Sequence, residues 1–362
     1  MEQIETLEAL GLFTARVPRY TSYPTAASFS PEVGSAFQRG ALAALDPAEP
    51  VSVYVHIPFC ERLCFFCACH TQGTKTLTPV ERYVETLEAE LSLLRAILPA
   101  GIQMGRMHWG GGTPTILTPA LIERLHRALH RVFTPAEGFE FSVEIDPTLI
   151  DRAKIDALCA AGLTRASIGI QDFDPEVQQA IGRLQSFDAT RRCVAQLRAA
   201  GVTSLNTDLV YGLPHQTMAR LDDTIDKTLS FAPDRVALFG YAHVPWVSKR
   251  QKLIRKTTLP DEMARYHLAR RAAERFTVAG MEAIGIDHFA TRQDGLTRAK
   301  RNGRLRRNFQ GYTDDDCQTL IGIGASAISR FPGGYVQNAV ATAAYNARIA
   351  AGELPGARGY VL

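Results

Sequence analysis

Three thiols carry the plainest chemistry in this chain. Cys60, Cys64 and Cys67 stand in a C-x3-C-x2-C spacing. They follow an apolar, β-branched run of Val51, Val53, Val55 and Ile57. Pro58 ends that run, because proline cannot donate to a sheet ladder. A strand therefore delivers the chain to a loop that holds three thiols. Soft thiolates this close together suit an iron–sulfur cluster or zinc. Three cysteines ligate three corners of a four-iron cubane and leave the fourth iron open to a small chelating ligand. Structural zinc usually takes four ligands, commonly as two separated pairs. Cys69 can serve as a fourth thiol, but Cys159, Cys193 and Cys317 stand alone and make no second pair. A disulfide framework is not expected in a chain of this length with seven scattered cysteines and no secretory signal.

The composition bounds the rest. The chain has 362 residues, 46% of them hydrophobic, enough for one large barrel or two domains. The net charge of +3 offers no global field for nucleic acid or an anionic membrane. The first residues lack a signal peptide's basic and apolar regions, and no apolar run reaches the length of a membrane span. A cytoplasmic protein with reduced cysteines is expected.

The elements that must position the thiols alternate between residues 51 and 245. Strand-like runs fall near 51–57, 105–109, 140–145, 165–170, 204–210 and 235–240. Helix-like segments lie between them, near 80–98, 119–132, 151–161, 188–200 and 218–231. Gly162 and Gly201 sit where helix C-caps belong. Six strand–helix units predict an α/β fold on a parallel sheet with right-handed crossovers. Curled, this is a partial TIM-like (βα)6 barrel; an open doubly wound sheet gives the same periodicity. Residues 1–50 precede the sheet as an N-terminal segment, and 246–362 form a C-terminal extension.

Barrel active sites collect at the C-terminal ends of the strands. Here those ends carry the cysteine loop, Gly110-Gly111-Gly112-Thr113, Glu144 and Asp146, Gln171 and Asp172, Asp208, and Tyr241-Ala242-His243. The glycines are expected to let a ligand approach and to leave bare N–H groups for a carboxylate or amine. There is no G-x-G-x-x-G and no G-K-[ST] phosphate fingerprint. Glu144 and Asp208 are acceptors suited to ribose hydroxyls or a cation; a rim carboxylate paired with arginine is the plainer reading. Gln171 both donates and accepts. Tyr54 and His56 flank the thiol loop. A lone histidine is more often structural, but here it can bond a ligand or relay a proton.

The string from Tyr54 to Cys69, YVHIPFCxxxCxFCxC, resembles the radical S-adenosylmethionine (SAM) enzymes. Within them it is similar to the oxygen-independent coproporphyrinogen III oxidases of haem synthesis. The resemblance extends to IGxDHFA at 284–290, to RNFQGYT at 307–313, and to Val17–Thr25 as a segment near the active-site mouth. It implies a [4Fe-4S] cluster on Cys60, Cys64 and Cys67, with two SAM molecules per site. Tyr54, Gly111, Glu144 and Ile328 match positions at the cluster-bound SAM. Gly112, Thr113, Gln171, Arg183, Asp208 and Ala242 match positions at the second. Tyr54 and His56 are carried over as catalytic positions, and Cys69 is expected near the site but off the iron.

The implied reaction turns two propionates of coproporphyrinogen III into vinyls through a 5′-deoxyadenosyl radical. It needs a reductant such as flavodoxin or ferredoxin and is expected of a monomer. A haem-binding chaperone on the same scaffold and an impaired shortened paralogue are the alternatives. Members of the family usually continue past a segment like Leu354–Leu362 into a helical domain of roughly a hundred residues, so a shortened member is expected. The basic run 298–307 holds six Lys and Arg. It is either a solvated loop or a set of forks for substrate carboxylates.

Overall fold

The computed structural model describes residues 2–13, 23–309 and 311–362. Most of the proline- and tyrosine-bearing stretch 17–25, and Gln310 within RNFQGYT, lie outside them. Six strands match the expected series: β1 Val51–Ile57, β2 Gln103–Gly111, β3 Thr134–Ile145, β4 Leu163–Gln171, β5 Ser204–Tyr211 and β6 Arg235–Gly240. Each pairs in parallel with the next in chain order. A doubly wound sheet reverses its order at a switch point. A strictly sequential order winds one way, so this is the partial barrel.

Helices α1 Thr78–Ile97, α2 Pro119–His130, α3 Arg152–Ala160, α4 Phe187–Ala199 and α5 Met218–Leu229 return the chain between strands. Four of them start alike. The side chains of Thr118, Asp151, Ser186 and Thr217 each accept a backbone N–H from the first turn. Such a cap is worth about 1 kcal/mol. Gly162 and Gly201 follow α3 and α4 at φ +89° and +94°, the left-handed conformation that ends a helix.

Strand residues paired side by side share one face of the sheet. The register sets Tyr54, His108 and Ser142 in one row, with Glu144 beside Ser167. Asp208 lies beside both Gly169 and Ala237. The intervening residues, such as Val53, Val55, Met107, Trp109, Phe141, Val143, Ile168, Leu205 and Val236, are buried in one core with the helices. The apolar set faces outward to α1–α5, and the polar set lines the lumen. Parallel strands usually read as continuous apolar runs because both faces are covered. These strands alternate because their inner face is a polar cup.

The strand series does not stop at residue 245. The segment 246–362 contributes β7 Glu282–Ile284, β8 His288–Ala290, β9 Leu320–Ile323, β10 Ile328–Phe331, β11 Gly334–Asn338 and β12 Gly356–Val361. β8 pairs antiparallel with β6, and β7 follows it. β9 adds in parallel to β1, and β10, β11 and β12 continue antiparallel. The resulting twelve-stranded order is β12-β11-β10-β9-β1-β2-β3-β4-β5-β6-β8-β7, with two unjoined ends. Strands of three to six residues leave little periodicity in a sequence.

A charged plug fills the lumen floor. Arg235 forks onto Asp294 at 2.7 Å and reaches Asp314 at 3.1 Å. Arg106 and Arg165 share Glu140 at 3.0 Å, and Ser52 donates to Asp315. The basic run 298–307 is not a free set of forks. Arg301 pairs with Glu282, Arg304 with Asp316 and Arg307 with Asp287. No described helix is long and apolar enough to cross a membrane.

One ionisable group inside the wall ties the halves together. Glu90 on α1 is fully buried. It accepts from Tyr345 Oη at 2.5 Å, Gly324 N at 2.8 Å and Asn338 Nδ2 at 3.3 Å. Burial pushes its carboxyl up to about 7, against those three bonds. The unfolded group titrates near 4.5. Between these values the folded chain keeps a proton that the unfolded chain has lost. That contribution is complete below pH 4.5 and is lost as pH rises through about 7, roughly 3 kcal/mol in all. Thermal melts of apo Glu90→Gln are therefore expected to lose less stability across this window than the unsubstituted chain. Equal losses would show that another group carries the titration.

Candidate active site

The thiol loop follows β1 directly. Cys60 and Cys64 are buried, Cys67 is half-buried and Cys69 exposed; all four are free thiols. Each of the three spaced sulfurs receives at least one donor. Thr113 Oγ1 lies 3.5 Å from Cys60 Sγ, Arg183 Nη1 3.7 Å from Cys64 Sγ, and Cys69 N 3.4 Å from Cys67 Sγ. The hydrogen bond from the Cys69 thiol brings Cys67 down to about 6, helped by its backbone N–H and by Arg250 and Arg183. Burial pushes Cys60 up to about 11. Donors at every sulfur suit thiolate ligands, whose charge needs a surrounding shell. By their donor chemistry the residues present fit an iron–sulfur group.

The glycine turn after β2 does something other than expected. Its N–H groups are not bare. Gly111 N donates to Glu144 Oε2 at 3.0 Å, Gly112 N to Ile57 O at 2.8 Å and Thr113 N to Phe59 O at 2.8 Å. The turn is stitched to the thiol loop. A Cβ on Gly111, at φ +114°, would meet the His56 ring at 2.5 Å, and one on Gly112 would meet Phe59 O at 2.6 Å. Glycine is needed here for backbone-to-backbone packing.

Tyr54 and His56 lie on β1. His56 Nε2 faces the His70 carbonyl at 3.0 Å, which can only accept, so Nε2 carries the hydrogen. Burial lowers the His56 pKa and keeps the ring neutral. Its Nδ1 then accepts from Tyr54 Oη at 3.0 Å. Both His56 nitrogens are engaged by protein, so the ring orients Tyr54. On its other side Tyr54 stacks on His108, centroids 5.8 Å apart and planes 13° apart.

Among the described residues Glu144 is not paired with an arginine. His108 Nε2 stands 3.4 Å from Oε1, and Ser142 Oγ 2.6 Å from His108 Nδ1. Burial raises the Glu144 pKa, but His108 and the Gly111 N–H together pull it below the ordinary value. Water still reaches 42% of the side chain, so its surroundings are a deep cup rather than a sealed core. Asp208 accepts from Asn206 at 2.8 Å and Ser167 at 3.2 Å. Burial pushes it up to about 6 against the Asn206 bond, with Glu144 repulsion adding to the rise.

Gln171 ends β4 at φ +69°, a conformation glycine prefers. The next residue holds it there. Buried Asp172 accepts from Asp174 N, Thr224 Oγ1 and Gln216 Nε2 at 2.7 to 3.0 Å. Arg183 donates to Gly169 O at 2.8 Å and lies 3.8 Å from Asp146, while its buried Nε has no partner among the described residues. Ile328 joins from β10: its carbonyl fills the space over Gly322, which pairs with Tyr54. Ala242 is exposed just past β6.

Residues 54–228 match the family model described as the radical SAM superfamily. An oxygen-independent coproporphyrinogen III oxidase of Cereibacter sphaeroides is 62% identical over 360 residues, 99% of this chain and 80% of that one. The protein of that name from Paracoccus denitrificans is 54% identical over 99% of this chain and 80% of its own length. The structure of the Escherichia coli coproporphyrinogen III oxidase HemN, described as a radical SAM enzyme, superposes with a TM-score of 0.92. It is 38% identical, with 98% of this chain and 80% of that chain covered. This chain belongs to the oxygen-independent coproporphyrinogen III oxidase family.

In this member of the family the lumen holds polar residues that motif reading passes over. His108, Ser142, Ser167 and Asn206 support Glu144 and Asp208, and their only sequence signal is a polar residue at every second strand position. The family motifs IGxDHFA and RNFQGYT meet at one point. Arg307 donates both Nη atoms to Asp287 at 3.1 Å, and Asp287 lies 2.7 Å from His288 Nδ1. Arg307 also sits 4.4 Å over the Tyr312 ring.

The stitched turn generates a test. Gly112→Ala has no room against backbone atoms, so iron retention after anaerobic reconstitution should drop and SAM affinity should fall by about tenfold, ~1.4 kcal/mol. Gly40→Ala, where a methyl meets nothing within 4 Å, should leave both unchanged. Full iron and SAM binding in Gly112→Ala would contradict the packing role.

Proposed function

We propose that this chain converts coproporphyrinogen III to protoporphyrinogen IX without oxygen. Each of two propionates, R–CH2–CH2–COO−, becomes a vinyl, R–CH=CH2, as one hydrogen atom, one electron and carbon dioxide leave. The observation that carries this reading is the thiol loop: three donor-backed sulfurs at the mouth of a polar barrel, in a member of this family. When bound, a cluster with SAM at its open iron supplies the one-electron cleavage that produces a hydrogen-abstracting carbon radical.

The chain's own residues do the positioning. Cys60, Cys64 and Cys67 hold the cluster, and the Gly111–Thr113 turn fixes their loop. Tyr54, Gly111, Glu144 and Ile328 are assigned to the SAM nearer the cluster. Glu144, kept ionised by His108, suits a cationic group there. Gly112, Thr113, Gln171, Arg183, Asp208 and Ala242 are assigned to a second SAM. Gly112 and Thr113 act through the loop, because their N–H groups are already bonded. Asp208 loses its charge as pH falls below about 6, so cation binding at that acceptor weakens in acid.

The test is anaerobic reconstitution with iron and sulfide, reduction by dithionite, and assay of 5′-deoxyadenosine and carbon dioxide with and without coproporphyrinogen III. Substrate-dependent formation of both is expected. Cys60→Ser, Cys64→Ser and Cys67→Ser should each lose at least about 100-fold, whereas Cys69→Ser stays within the ~10-fold range of an outer-shell change. Haem binding without carbon dioxide release would favour the chaperone instead, and zinc in the loop would end the reading.

A further inference from the structure

A cationic ridge stands beside the thiol loop, and the proposed reaction does not use it. Residues 246–258 carry Lys249, Arg250, Lys252, Arg255 and Lys256 and no acidic residue. Their core is a 3-10 turn, Lys249–Leu253. Side chains three apart eclipse one another in that geometry, and the burial pattern obeys it. Ser248, Gln251 and Ile254 point inward and are buried, whereas Lys249, Lys252 and Arg255 are exposed, as is Lys256 beyond them.

The inward face holds the thiol loop. Ser248 Oγ donates to Cys67 O at 2.9 Å, Gln251 Nε2 to Phe66 O at 2.9 Å, and Arg250 Nη2 to Cys69 O at 3.3 Å. The outward cations Lys249, Lys252, Arg255 and Lys256 form no ion pair among the described residues. Large apolar side chains interrupt them: Trp246 is 76% exposed, Val247 69% and Leu253 62%. Across the loop Leu184 is 61% exposed, its carbonyl held by Arg62.

An unpaired cationic row with an exposed tryptophan has the composition of a docking surface: aromatic anchor and charged surround. Its place identifies the occupant. The segment bonds the backbone of the loop assigned to the cluster, and that group requires an electron from outside. We propose that Trp246–Lys256 docks a small acidic one-electron carrier protein, which gives one electron to the cluster behind Cys67. The carrier is oxidised by one electron, the cluster is reduced by one, and no bond forms or breaks. The proposal rests on the cluster assignment above. Like charge along the row steers an acidic partner and raises its association rate, and salt screens that effect.

The test uses the full reconstituted chain with Lys249→Glu, Lys252→Glu and Lys256→Glu combined, and a flavodoxin with its reductase as probe. Dithionite needs no docking, so dithionite-driven 5′-deoxyadenosine formation should stay within about twofold of the unsubstituted chain. Flavodoxin-driven formation at low salt should fall by at least ~10-fold, and the gap should narrow at high salt. Direct titration of flavodoxin onto the apo chain should weaken by a similar factor, and Trp246→Ala should weaken it without changing the salt dependence. Arg131→Glu, at the far end of α2, serves as the control and should change nothing. Unchanged flavodoxin binding and turnover in the triple variant would overturn the proposal. A raised KM for coproporphyrinogen under dithionite, with flavodoxin binding intact, would also overturn it and give the row to substrate carboxylates. Should the unsubstituted chain make no 5′-deoxyadenosine with dithionite, the functional reading fails, while the apo titration still decides the docking surface.

Discussion

Every second side chain of a strand points to the same side of its sheet, and six parallel strands here turn that side inward. The whole site depends on this constraint. It sends valine, leucine, phenylalanine and tryptophan out to the helices, where their burial holds the barrel together. It sends tyrosine, histidine, serine, glutamate and aspartate into the lumen. A polar lining cannot close on itself as an apolar one does, because buried acceptors without partners are costly. The lining groups instead bond to one another in short chains, such as Ser142–His108–Glu144 and Asn206–Asp208–Ser167. A cup remains at the mouth with its donors and acceptors oriented in advance.

The second half of the chain completes the cup. β8 extends the wall past β6, and β9 through β12 extend it past β1. Arg235, Asp294 and Asp314 plug the floor. Glu90 anchors the turn at Gly324 and thereby sets β9 and β10 beside Tyr54. The thiol loop is held from two directions, by the Gly111–Thr113 turn beneath it and by the 3-10 turn at Lys249–Leu253 alongside. Three sulfurs, each with a donor, are thus fixed by elements far apart in sequence.

Much of this is legible in the sequence. The order of the strands, the C-cap glycines Gly162 and Gly201 and the thiol spacing are local properties, and β1 and β6 end where their residues said they would, while β3 starts six residues before the expected 140. What escaped the reading is non-local. Sequence shows three glycines after β2 but not that their N–H groups meet Ile57, Phe59 and Glu144. It shows two basic runs of similar density. Only packing reveals that Arg301, Arg304 and Arg307 are paired within the fold while Lys249, Lys252 and Lys256 have no ion pair among the described residues. The strands of 282–290 and 320–361 were hidden by their brevity. His108 was hidden because a lone histidine in a strand carries no motif; its role depends on Glu144 standing 36 positions away.

The central claim is that three thiolates hold a four-iron cluster and leave one iron for SAM, with the polar cup arranged around it. Mössbauer spectroscopy of the chain reconstituted with iron-57 tests this most directly, read before and after SAM is added. One iron site in four is expected to shift to a higher coordination number on addition, with the other three unchanged. A spectrum indifferent to SAM, or a loop that retains zinc and no iron, would contradict it.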